Sequence, residues 1–252
     1  MIAAITLAET RTELAKFVRL PAYSIPSIAF PLGFYAFFGL AMGGSHGYHS
    51  TTVATYLLAT FGAFGVVGCA LFAFGVGVAV ERGQGWLLVK RASPMPLTAY
   101  FAAKLLTMLT FAAIVVMLMC TLGSTFGAVT LPPLTWVALM AALVVGAIPF
   151  AAIGLAIGFV AGPNSAPAIV NLVYLPLSFC SGLWVPVQQL PPALARIAPY
   201  LPTYHLGQLA LGTIGAGTGA PLTHIAVLAL WTAGGVAAAA LGMKRDEGRT
   251  YG

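Results

Sequence analysis

A chain of 252 residues that is 60% hydrophobic and 6% charged, with a mean hydropathy of +0.97, cannot furnish a soluble surface. Soluble domains carry about 25% charged residues and must cover their outside with polar groups. The composition specifies an integral membrane protein, and its net charge of +6 does not point to nucleic acid, because the basic residues flank apolar runs as cytoplasmic loops do.

The apolar runs are helix length, which excludes the short alternating strands of an outer-membrane barrel. The expected class is therefore an all-α, polytopic membrane protein, with residues 1–252 forming one transmembrane domain. Cys69, Cys120 and Cys180 all lie inside apolar runs and are odd in number, so no disulfide framework is implied.

Residues 5–20 read as a short amphipathic helix. Leu7, Leu14 and Val18 fall on one face, and Glu9, Glu13 and Lys16 on another. Such a helix lies at the membrane surface with its apolar face inward. Mixed charges at Glu9, Arg11, Glu13, Lys16 and Arg19 precede the first run, unlike the short basic region of a cleaved signal peptide.

The first span is expected over 22–42, irregular near Pro21, Pro26 and Pro31. A polar Gly-rich loop follows at 43–50. His46 and His49 there have no acidic or cysteine partner nearby and make a poor metal pair. The second span, over 53–80, repeats glycine at 62, 65 and 68, a face for close packing. The third covers 100–122 and the fourth 134–160, where Gly154 and Gly158 have GxxxG spacing for packing within the chain. The fifth covers 167–185 and includes the polar residues Asn171, Ser178 and Ser181. Residues 186–213 are broken by five prolines and cannot form one straight spanning helix, so short helices at the outer interface are expected. The sixth span covers 222–242, before a charged tail.

This six-span layout puts ten of the eleven Lys and Arg residues on one side together with both termini, Arg196 being the exception. The positive-inside rule makes that side cytoplasmic. No charged residue lies mid-span, and Lys104, one turn inside the third span, is expected to snorkel to the interface. No hydrolase elbow, zinc motif, CxxC or phosphate-binding loop is present, so the chain is not expected to be an enzyme or to hold a metal. Ser45 in its outer loop lacks a partner acid nearby in sequence.

The stretch Glu81–Lys104 stands apart as a charged island between apolar runs. Glu81 and Arg82 close the second span. Gly83 and Gly85 permit a sharp turn. Trp86 through Lys90 to Arg91 reads as a short interfacial helix, stopped by Pro94. Either a bundle without an energy-coupling group of its own borrows energy from a partner through this loop, or the stretch is an ordinary basic loop.

Two segments resemble the ABC-2 family of ABC transporter permeases, similar to daunorubicin, multidrug and sodium efflux permeases. One is E-R-G-x-G-(x)8-P from Glu81 to Pro94 with Lys104 downstream. The other runs from Asn171 through Pro176, Ser181, Gly182, Pro186 and Pro191 to Ala198-Pro199 and Leu201-Pro202. Trp86 departs from the Thr or Ser that often follows the glycine in that family. The resemblance implies a six-span permease with an extracellular re-entrant hairpin between spans five and six, in a bacterial inner membrane. It implies a second permease copy, a homodimer, and two cytoplasmic ATPase subunits that hold the ATP and Mg; this chain itself is expected to bind no cofactor. It implies an ATPase-coupling loop of Glu81, Arg82, Gly83, Gly85, Trp86, Lys90, Arg91 and Pro94. It also implies a path for an amphiphilic, drug-like or lipid-like substrate near Asn171, Ser178 and Ser181. The alternative is an ion- or proton-coupled transporter or channel without an ATPase.

Overall fold

The computed structural model describes residues 2–19, 21–41, 51–92 and 95–250, and every regular element among them is helical. Helix α1 is Ile2–Arg19 and α2 is Pro21–Phe34, which widens into a π-helical turn at Tyr35–Leu40. Helix α3 (Val53–Leu71), a π-helical segment (Phe72–Val76) and α4 (Gly77–Gly83) form one continuous rod. The short α5 (Trp86–Ala92) leads to α6 (Leu97–Phe126). Then come α7 (Pro133–Val145), α8 (Ile148–Val160), α9 (Ala166–Cys180), α10 (Pro192–Ile197), α11 (Pro202–Thr213) and α12 (Pro221–Thr250).

Among the described residues, four helices are long and apolar enough to cross a bilayer: Val53–Gly83, Leu97–Phe126, Pro133–Val160 and Pro221–Asp246. They match the expected second, third, fourth and sixth spans. The expected first and fifth correspond to shorter apolar stretches, Ile28–Leu40 and Ala166–Cys180. At 1.5 Å per residue α9 reaches about 22 Å, less than the ~30 Å of a bilayer's hydrocarbon core. It ends early because Gly182, at φ +85°, turns the chain where a Cβ would strike Val187.

The α3 rod is the pillar of the bundle. From Ala54 to Leu71 all of its residues are buried, so this apolar helix is covered by the rest of the protein. Its three spaced glycines face four different helices. A Cβ at Gly62 would meet Leu143, at Gly65 Pro31 and Val115, and at Gly68 the Tyr174 hydroxyl. The GxxxG pair packs within the chain, as expected: a Cβ at Gly154 would lie 3.2 Å from the Ala70 carbonyl, and one at Gly158 2.7 Å from that of Phe74. Small residues let the backbones of α8 and the rod approach closely. Helix α12 rides on the far side of α8, where Gly235 and Gly242 abut Ala152 and Phe159. It leaves Leu222, Leu230 and Leu241 on the outside.

Prolines explain the breaks. The fourth span is two helices separated at Gly146–Ala147, just before Pro149, whose nitrogen has no proton to donate. In the expected broken segment, Pro192 and Pro202 each open a short helix at the first position, where the missing donor costs nothing. The irregularity expected near Pro26 and Pro31 lies beyond them, in the wide turn at Tyr35–Leu40. The 43–50 loop, with Ser45, His46 and His49, falls outside the described residues.

Candidate functional site

Four of the chain's five acidic side chains, Glu9, Glu13, Glu81 and Asp246, gather with lysines and an arginine at one end of the bundle. The arrangement begins with Lys104. It sits on the third turn of α6, flanked by apolar residues, and is 4% exposed. It does not snorkel, contrary to expectation. Its Nζ donates at 3.1 Å to Glu81 Oε1 from α4 and at 3.1 Å to Glu13 Oε2 from α1. The physical reason is that two carboxylates already occupy the interior, and a buried charge finds its partner there more cheaply than by stretching to water.

Helix α1 supplies the second layer. Its polar stripe of Glu9, Glu13 and Lys16 faces the bundle, while Leu7 is exposed on the other side. Glu13 is 2% exposed and accepts from Lys16 and Lys104. Lys16 also reaches Glu81 at 3.3 Å. Burial pulls the Lys16 ammonium down, but the hydrogen bond to Glu13 and the charges of Glu81 and Glu13 outweigh it and raise its pKa. Lys90 of α5 pairs with Glu9 and lies 4.3 Å above the Tyr100 ring, while the Tyr100 hydroxyl donates to Glu81. Three carboxylates thus face three ammonium groups, and the cluster is neutral as a unit. Between α1, the rod, α5 and α6 it borders a cavity of about 520 Å³ whose apolar side includes Val76 and Val80.

Arg82 makes a separate clamp. Its guanidinium donates to the carbonyls of Phe159 at 2.8 Å and Ala161 at 2.6 Å, and to Asp246 at 2.8 Å. The two carbonyls belong to the end of α8, where backbone acceptors have no partner in the helix. One side chain therefore ties the rod, α8 and α12 together.

The loop after the rod turns as its glycines suggest. Gly85 has φ +77°, a conformation that costs glycine little. Gly83 lies against Pro163, with room for no Cβ. On α5, Leu87 is buried and Lys90 points into the cluster, whereas Trp86, Leu88 and Val89 stand exposed as an apolar ridge. The Arg91 side chain and Pro94 fall outside the described residues. Of the predicted loop residues, then, Glu81, Arg82 and Lys90 hold the bundle together, and Trp86 faces outward.

The residues expected along a substrate path are differently placed. Asn171 is exposed on α9 and donates to the Pro167 carbonyl. Ser178 and Ser181 are buried and donate to the carbonyls of Tyr174 and Ser178. Each side chain thus bonds the backbone of its own helix or its end. Sequence reasoning missed the inward turn of Lys104, the Arg82–Asp246 pair and a contact between His205 and His224. The readable signal for the first was a lysine inside an apolar run with acidic residues on two charged segments before it, at Glu13 and Glu81.

The family model described as ABC-2 type transporter matches residues 6–214. A relative from Bacillus subtilis (strain 168), described as "Putative transport permease YvfS", is 27% identical over 195 residues, covering 77% of this chain and 79% of its own length. With a family match that runs from the acidic stripe of α1 through the charged loop to the end of α11, this chain belongs to the ABC-2 type transporters.

Proposed function

We propose that the chain is the membrane-spanning permease subunit of an ATP-binding cassette exporter, paired with a second copy of itself and driven by two cytoplasmic ATPase subunits. The cargo is drug-like, lipid-like or another amphiphile, consistent with spans that carry few polar groups. The observation that carries the reading is the three-way junction at the charged end. The short helix α5 presents Trp86, Leu88 and Val89 outward while Lys90, Glu81 and Lys104 link it to α1, the rod and α6. A push on α5 would reach two spans and the interfacial helix together. In this reading the junction faces the cytoplasm with both termini, the membrane is the bacterial inner membrane, and six segments cross it. The shorter ones, α2 and α9, are completed by their neighbours.

The test is reconstitution with the cognate ATPase in liposomes. Leu88→Asp combined with Val89→Asp should abolish ATP-driven transport and ATPase co-purification while membrane insertion and Tm stay unchanged. Transport that survives this change, or that persists without ATP and stops when a proton gradient collapses, would sink the reading in favour of an ion-coupled carrier.

A further inference from the structure

At the other end of α12 lies a pair of buried histidines. His205, on α11, is 4% exposed and His224, on the first turn of α12, 6%. Their Nδ1 atoms are 2.8 Å apart. His205 Nε2 is 2.9 Å from the Pro199 carbonyl oxygen, and His224 Nε2 is 2.7 Å from that of Thr218. A carbonyl only accepts, so both Nε2 atoms must carry protons. The central Nδ1–Nδ1 contact needs one more. Three contacts therefore require three protons, and two neutral imidazoles supply two.

We propose that His205 and His224 form a binding site for one proton, shared between the two Nδ1 atoms, and that this proton ties α11 to the start of α12. The distance selects the ligand. Two nitrogens bound tetrahedrally to zinc at about 2.0–2.1 Å would stand roughly 3.3 Å apart, wider than observed. A hydrogen bond of this length fits a proton.

Among the described residues, the helices packed on the pair bring no charged partner to it. The helices packed on α11, namely α3, α7 and α9, have no acidic or basic side chain; their titratable groups are Tyr56, Cys69, Tyr174 and Cys180. Helix α8, packed on α12, has none. The Tyr204 ring lies beside both imidazoles, and Tyr200 and Arg196 are the other titratable residues of the 186–220 segment. With no carboxylate to balance it, a second proton is disfavoured. Burial disfavours charge on the His205 ring, offset in part by the Pro199 carbonyl and reinforced by the charge of His224, so the shared proton is held by the Nδ1–Nδ1 contact against that cost. The contact is thus complete with one proton. It opens when acid adds a second, because both Nδ1 atoms then become donors, and when base removes the first, because two lone pairs then face each other.

The full-length protein, with His46→Gln and His49→Gln to leave two histidines, would be labelled with 15N-histidine in nanodiscs. At pH 7 the expected result is two protonated Nε2 atoms and Nδ1 signals lying between the neutral and fully protonated limits. Its Tm should fall by several degrees on either side of a maximum, and His224→Asn should flatten both limbs. Two neutral rings at pH 7, two fully charged rings, or an unaltered pH profile in both His224→Asn and His205→Gln would overturn the proposal. None of these readouts depends on transport.

Discussion

The two ends of α12 are fastened in opposite ways. At its C-terminal end, Asp246 meets Arg82 beside a neutral cluster of three carboxylates and three ammonium groups. About 33 Å away along the helix, His224 meets His205 with no carboxylate within the packed helices. The first end is held by carboxylates paired with ammonium and guanidinium groups. The second is held by two imidazoles, the side chain whose ordinary pKa lies closest to neutrality. A helix exposed on the outside of the bundle along much of its length is thereby anchored firmly at one end and conditionally at the other.

The sharpest way to break this contrast is at Lys104. Lys104→Met removes the buried one of the two cations that Glu13 and Glu81 share and should cost about 3–5 kcal/mol, read as the largest fall in Tm of any single change at either end. Adding Glu81→Gln should recover part of the loss. If Lys104→Met is no worse than a surface lysine substitution, the cluster is not what holds this end. Arg82→Ala comes next, at about 2–3 kcal/mol, because two carbonyls and Asp246 lose a charged donor together. Asp246→Asn should cost less than half of that, since the carbonyl contacts remain. An equal loss would mean that α12, not α8, is the clamp's main client.

Gly158→Ala probes the packing between the ends. A Cβ there would stand 2.7 Å from the Phe74 carbonyl oxygen, which is backbone and cannot swing aside, so about 1–3 kcal/mol should be lost. Neutral pH profiles should be unaffected. The smallest effect belongs to Lys16→Met, within about 1 kcal/mol because the side chain is 48% exposed. Lys16 has a raised pKa in the folded protein. Its contribution is therefore complete below the ordinary lysine range and is lost as pH rises through the raised value, so the variant should flatten only the alkaline limb of Tm against pH.

Much of this was legible in the chain because hydropathy is local. The rod, α6, the α7–α8 pair and α12 follow from apolar runs, and the α5 turn follows from Gly85 and the residues around it. Side-chain pairing was not legible, because it depends on which ends meet. Glu13 and Lys16 fall on one polar face of a single helix, yet their nearest charges include Glu81 and Lys104, far along the sequence. The same holds for His205 and His224, nineteen residues apart and each set among mostly apolar neighbours in sequence. The expected fifth span outruns α9 because Gly182 closes its apolar run early.

The π-helical segment Phe72–Val76 sets the angular phase of everything after it. A wide turn of this kind amounts to one residue added to an otherwise regular helix. Without it, the part of the rod beyond would be rotated by about 100°. Glu81 would then no longer aim at Lys104, nor Arg82 at the end of α8. The charged end of the bundle is thus timed by a single extra residue, two turns before the first charge it brings into place.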